Sequence, residues 1–197
     1  MKKNLSIRNI TIIAILGALG SVLMIIDFPI FIAPSFYKLD LGDLPCLIGA
    51  FALGPIPALL IQVIKILLKM LIKPTSTAFI GELAAFIFSS TYCIVASIIY
   101  KNNRTKKGAV RAIIIGSIAM VLVSTLANYL FIIKAYASLY GMPIESIISL
   151  GSAIIPAVKD LFSFCLFCVL PFNIIKVVLV DVLTMLLYKH ISPLLKG

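Results

Sequence analysis

Charged positions, more than apolar ones, set the rhythm of this chain. Residues 9–26, 44–64, 83–100 and 112–133 contain no Asp, Glu, Lys or Arg, and each run holds 18 residues or more. An α-helix needs roughly 20 mostly apolar residues to cross about 30 Å of hydrocarbon. Breakers lie between the runs: Asp27-Phe28-Pro29, Gly54-Pro55-Ile56-Pro57, Pro74-Thr75-Ser76-Thr77 and the polar stretch 101–108. The pattern predicts an all-α, polytopic membrane protein, a single integral-membrane domain over 1–197. Its six transmembrane helices fall at about 7–27, 43–54, 57–73, 78–100, 109–134 and 171–190. The second is short for a full crossing. Residues 135–170, broken by Gly141-Met142-Pro143 and Pro156, are expected to form a loop with one or two short helices.

Composition strengthens that reading. Of 197 residues, 62% are hydrophobic and 12% charged, against about 25% charged in ordinary soluble domains. A soluble enzyme and a disordered chain are both excluded. The net charge of +10 is explained by topology. With the N-terminus inside, ten cations fall in inner segments: Lys2, Lys3, Arg8, Lys101, Arg104, Lys106, Lys107, Arg111, Lys189 and Lys196. Four fall outside, Lys38, Lys73, Lys134 and Lys159, and no acid lies in an inner loop. This positive-inside bias puts both termini in the cytoplasm, and no nucleic-acid partner is needed to explain the charge. Lys2, Lys3 and Arg8 precede the first apolar run as in a signal peptide, but that run ends without a small-x-small cleavage pattern and is expected to be retained.

The few polar residues inside the spans are functional candidates, because each is costly unless paired or facing a cavity. Gln62, Lys65, Lys69 and Lys73 share one face of the third helix. Glu82, Asn128, Asn173, Lys176 and Asp181 lie on later helices. With the boundaries above, Lys69, Glu82, Asn128, Asn173 and Lys176 all fall within about 10 Å of the outer ends of their helices. That points to a binding pocket open to the outside, bordered by the loop Phe36-Tyr37-Lys38-Leu39-Asp40-Leu41-Gly42-Asp43. Asn offers donor and acceptor together, Lys donates, and the 12 Phe and 7 Tyr supply flat walls. A neutral, mixed aromatic and polyhydroxyl solute fits such a pocket. The plainer alternative pairs Lys69 with Glu82 and Lys65 with Asp181 to neutralise buried charge, with the Asn side chains as interhelical glue.

No phosphate-cradling Gly-rich loop, HExxH or GxSxG motif is present, so no ATPase, metalloprotease or serine-hydrolase chemistry is expected of this chain. The cysteines at 46, 93, 165 and 168 sit in apolar sequence, and neither a disulfide, a metal nor a cofactor is expected. A binder without its own power source implies a partner. Ala14-x-x-x-Ala18, with Gly17 and Gly20 nearby, offers a small-xxx-small docking face. Alternatives of another class are a small membrane-embedded lipid enzyme or a structural subunit.

The chain resembles the substrate-binding S components of energy-coupling factor (ECF) vitamin transporters, specifically the riboflavin-specific ones. The likeness covers nearly the whole chain. It rests on Ala14-x-x-x-Ala18, Lys38-Leu39-Asp40-Leu41-x-Asp43-Leu44-Pro45, Leu53-Gly54-Pro55, Gly81-Glu82-Leu83-Ala84, Ala127-Asn128-Tyr129 and Pro171-Phe172-Asn173-Ile174-Ile175-Lys176. Family patterns often carry Asn where this chain has Ala85. The resemblance implies a six-helix, multi-pass protein of a prokaryotic cell membrane. It would take up riboflavin, as transported substrate, with high affinity, and deliver it by toppling in the lipid bilayer beside a membrane-embedded coupling protein and two ATPases. Another vitamin or a flavin nucleotide is the alternative within the family. The resemblance also implies that Asn128, Asn173 and Lys176 contact the flavin ring. Glu82, Tyr129 and Leu39, Asp40 and Leu41 of the 38–43 loop would form or cap the pocket, and Ala14 and Ala18 would meet the coupling protein.

Overall fold

The computed structural model describes residues 6–75 and 77–195, with side chains as far as Tyr188. Lys2, Lys3 and Lys196, three cations assigned to the inner side, lie outside the described residues, as do the side chains of Lys189 and His190. The first helix, α1 (Ile7–Ile25), begins at Ser6, whose hydroxyl accepts from the Asn9 amide and so satisfies one of the free donors of a first turn. A loop follows, closed by an antiparallel pair, β1 (Phe28–Pro29) and β2 (Lys38–Leu39), with Phe28 opposite Leu39 and Pro29 opposite Lys38. Next come α2 (Asp43–Leu53) and α3 (Pro55–Ile72), joined by Gly54 alone. Its φ of +99° is open to glycine but strained for other residues. Pro55 then opens α3 where its missing N–H has no helical partner to lose. The helices α4 (Ile80–Asn102) and α5 (Lys106–Ala127) follow, the latter capped by Thr105, which accepts from the Gly108 amide.

Ends of the first four helices fall within two residues of those the sequence predicts. The departure comes after α5. A π-helical turn, Asn128–Ile132, carries it directly into α6 (Ile133–Tyr140). After α7 (Ile144–Ser152), α8 (Leu161–Phe164) passes through a second π turn, Cys165–Val169, into α9 (Leu170–Leu195). Both ends of the stretch expected to be a loop are therefore helical continuations. Pro171 reads in sequence as a helix start. Here the π turn ahead of it loosens the backbone ladder where its ring would otherwise clash with a carbonyl one turn earlier.

Among the described residues, five helical stretches are long and apolar enough to cross a membrane: Ile7–Ile25, Pro55–Ile72, Ile80–Asn102, Lys106–Leu139 and Leu161–Tyr188. The sixth expected span, α2, is apolar but has 11 residues, about 16 Å, beside about 27 Å for the 18 residues of α3. The outer faces of the long helices are apolar and exposed, as at Ile15, Leu19, Leu122 and Leu186, which suits hydrocarbon. One buried cluster, built around Leu47, Ile61, Tyr92, Ala96 and Ala112, draws residues from α2, α3, α4, α5 and α9. A second holds Leu39, Ile133, Ile147, Phe164, Cys168 and Phe172.

Small residues on α1 divide between its two faces. A Cβ on Gly17 would lie 2.5 Å from Ile64 Cγ2, and one on Gly20 would lie 3.1 Å from the Gly42 carbonyl oxygen and 3.2 Å from the Lys65 stem. These glycines let α1 approach α3 and the loop closely. Ala14 and Ala18 point the other way and are exposed.

Candidate functional site

The missing length of α2 leaves space. A cavity of about 510 Å³ lies there, lined by the 36–40 loop segment, the ends of α3 and α4, the first π turn, α6, α7 and α9, with no residue from α2. Its volume is in the usual range for a small-molecule site, about 300–1,000 Å³.

An ion network carries one side of this cavity. Lys176 Nζ, from α9, donates to Asp40 Oδ2 at 2.9 Å and lies 3.4 Å from Asp43 Oδ2. Asp43 opens α2, where a negative charge suits the helix N-terminus, and it also accepts from Lys65 Nζ at 2.7 Å and Ser89 Oγ at 2.5 Å. Lys65 and Asp43 are essentially inaccessible, at 1% and 2% side-chain exposure. Two lysines and two aspartates cancel, so the network is neutral, and each buried charge has the partners such burial demands. The sequence alternative that paired Lys65 with Asp181 is corrected here. The short α2 brings its N-terminal Asp43 level with Lys65, while Asp181 faces α4 and α5, accepting from Tyr92 Oη and, at 2.8 Å, from Ser117 Oγ.

Each of the two asparagines on the cavity wall adjoins a π turn. Asn128 starts the first, and its Nδ2 donates to the Ser124 carbonyl at 2.8 Å. Its Oδ1 accepts from Tyr37 Oη at 2.8 Å, which ties the loop to the wall. Asn173 follows the second, and its Nδ2 donates to the Val169 carbonyl at 2.9 Å. With the amide nitrogens committed to carbonyls one turn back, Asn173 Oδ1 and Lys176 Nζ become the polar groups that α9 presents to the cavity. Tyr37 packs on Phe172 with ring centroids 5.2 Å apart, and Phe88, Met120, Ile133 and Ile147 complete an apolar wall.

A second set of charges rings the mouth. Lys69 donates to Glu82 at 2.7 Å, and Thr75 and Thr77 hydroxyls donate to the other carboxylate oxygen at 2.9 and 3.0 Å. Asp27, just past α1, joins Lys73 at the end of α3 (2.7 Å) to Lys38 in β2 (3.3 Å). Partial burial would raise the Asp27 carboxyl, but the hydrogen bonds from Lys73 and Lys38 outweigh it and hold the group below its ordinary value.

Asn128, Asn173, Lys176, Glu82 and Asp40 line the cavity, and the structure brings them together. Leu39, Leu41 and Tyr129 do not line it. Leu39 is 3% exposed in the second core cluster, Leu41 packs on the first, and the half-exposed Tyr129 meets Phe162 edge-on at 6.3 Å. The depth estimate also changes. Because α6 continues α5, Asn128 lies 12 residues before the helix end, about 18 Å rather than within 10 Å; because α8 runs on into α9, Asn173 and Lys176 likewise lie 12 and 15 residues past Leu161, about 18 and 22 Å from that end. Sequence reasoning passed over Tyr37 as a single residue, together with Thr77, Ser89, Tyr136 and Phe172; hydroxyl and aromatic groups are too common in membrane helices to stand out.

The match to the family described as "ECF transporter, substrate-specific component" spans residues 8–188. Riboflavin transporter FmnP of Bacillus subtilis (strain 168) is 24% identical over 190 residues, covering 96% of this chain and 94% of its own. Riboflavin transporter RibU of Staphylococcus aureus (strain TCH60) is 28% identical over 189 residues, covering 96% and 93%. A solved structure described as the S component of a bacterial ECF transporter superposes with a TM-score of 0.73 at 29% identity, covering 96% of this chain and 98% of that one. With a family match that runs over residues 8–188 and so takes in every residue lining the cavity, the chain belongs to the substrate-specific components of ECF transporters.

Proposed function

We propose that this protein binds riboflavin with high affinity and serves as the specificity subunit of an ECF-type ABC transporter in the cell membrane. The chain contributes binding and no catalysis; a membrane-embedded coupling protein and two ATPases would supply the coupling and the ATP hydrolysis. One observation carries the reading: a cavity of about 510 Å³ with aromatic and aliphatic walls presents Asn173 and Lys176, one helical turn apart, at its polar side. The pyrimidine edge of a flavin alternates carbonyl, N–H and carbonyl. Asn173 Oδ1 accepts from the ring N–H, and Lys176 Nζ donates to a neighbouring carbonyl. The dimethylbenzene end lies against Phe88, Met120 and Ile147, and the ribityl hydroxyls reach the Thr77, Glu82 and Lys69 groups of the mouth. The names of the two relatives support the same substrate.

A second reading has its own observation. Among the described residues of the mouth, three lysines, Lys38, Lys69 and Lys73, pair with two carboxylates, Asp27 and Glu82, and the excess cation suits the phosphate of flavin mononucleotide. Quenching of riboflavin fluorescence by purified protein, with flavin mononucleotide, thiamine and biotin as competitors, tests both. Saturable quenching with displacement by flavins alone is expected. Absence of quenching, or displacement by thiamine or biotin, overturns the flavin assignment.

A further inference from the structure

Away from the substrate cavity, a second hollow of about 420 Å³ opens on the outer face of the bundle between α5 and α9. Lys106 and Val110 stand at one end, Ile113, Met185 and Leu186 along its length, and Asp181 at the other end. Among the described residues its lining contains no Gly, Ala or Ser. Close approach of another helix relies on such small residues, and in this molecule they are exposed on α1, at Ala14 and Ala18. The groove instead offers branched aliphatic side chains and a flexible methionine, the surface that a single hydrocarbon chain fills. At its far end both Asp181 carboxylate oxygens accept hydrogen bonds, from Tyr92 and Ser117, which turn the carboxylate toward α4 and α5.

The chemistry of the occupant's head comes from the other end. Lys106 belongs to a segment, Lys101–Arg111, holding five cations and no acid, with Lys101, Arg104, Lys106, Lys107 and Arg111 all exposed. A basic pocket between transmembrane helices at the membrane surface is the arrangement that holds anionic headgroups. We propose that the α5–α9 groove is a binding site for an anionic phospholipid, with one acyl chain along the groove and the phosphate against Lys106 and its basic neighbours. The inference depends on the chain being a membrane protein and not on the identity of its substrate.

Native mass spectrometry tests it on the full-length protein released from nanodiscs containing phosphatidylglycerol and phosphatidylcholine with the same acyl chains. Selective retention of phosphatidylglycerol is expected. The variants Lys106→Gln and Arg111→Gln should each cut that selectivity roughly fivefold. Val182→Phe, which fills the groove without touching a charge, should abolish retention while size-exclusion elution and helical circular dichroism stay unchanged. Equal retention of the two lipids overturns the proposal. Selectivity lost in the charge variants but untouched by Val182→Phe assigns the effect to the membrane surface alone and also overturns it. Competition by soluble glycerol phosphate as effective as the intact lipid would assign the site to a free phosphate and remove the chain-binding half of the inference.

Discussion

Lys176 faces the cavity, donates to Asp40 at 2.9 Å and stands 3.4 Å from Asp43 Oδ2, so in the proposed site a ligand carbonyl competes first with Asp40 for its protons. Hydrogen bonds to charged groups contribute about 1.5–3 kcal/mol each. Lys176→Ala is therefore expected to weaken flavin binding roughly 10- to 100-fold, measured by fluorescence quenching. Asn173→Ala should weaken it by a smaller factor; unchanged affinity in both variants would remove α9 from the site. These residues were legible in the sequence because polar groups inside charge-free runs are rare and expensive. Their neighbours were not. In the extended segment 38–40 successive side chains alternate, so Lys38 and Asp40 face the cavity while Leu39 turns into the core. Tyr129 follows Asn128, but one helical step turns it to a different side of the helix, toward the surface and Phe162. A motif read as a string assigns all its members to one site; the backbone period distributes them.

At the level of elements, α1 separates two roles that a run of small residues merges. Gly17 sits against Ile64, where even a methyl would collide, while Ala18 is exposed. Gly17→Leu is expected to lower thermal stability and riboflavin binding together. Ala18→Leu should leave both intact and block uptake in cells expressing the partner subunits, and unimpaired uptake would count against the docking face. The loop between α1 and α2 is fastened at Asp27, whose ion pairs with Lys38 and Lys73 are 20–44% exposed and so weakened by salt. Because the folded carboxyl titrates below its ordinary value of 3.8, the fastening is complete above about pH 4 and fades as pH falls through the lowered value. Flavin dissociation should accelerate over that acid window, read by stopped-flow fluorescence. Asp27→Asn should show the faster rate at neutral pH and a smaller acid limb, the remainder belonging to the Glu82 and Asp40 ion pairs of the same cavity. A flat profile in the unsubstituted protein removes Asp27 as a fastening point. The π turns were beyond sequence reading, since Pro171 carries the same signal whether a helix starts there or passes through.

For the molecule as a whole, the cavity and the basic loop lie at opposite ends of the bundle. Lys101–Arg111 joins the far ends of α4 and α5, whereas the cavity is formed by the start of α4, the α5–α6 junction and the 28–42 loop. Beneath the cavity, Leu47, Ile61, Tyr92, Ala96 and Ala112 are 0–1% exposed, so packed side chains close the route to the basic end. For the proposed uptake, a substrate held above such a core needs the core to rearrange or the molecule to be reoriented, and the charge bias predicts the side from which it starts. The cysteines at 46, 93, 165 and 168 are 0–3% exposed and leave added thiols as the reactive ones. Phe31, at 99% exposure in the loop beside the cavity, and Asn102, exposed next to the basic loop, are the reporters. In intact cells a membrane-impermeant maleimide should label Phe31→Cys and spare Asn102→Cys until the membrane is permeabilised. The reverse order would invert the topology, put the cavity on the cytoplasmic side and turn the proposed uptake into export.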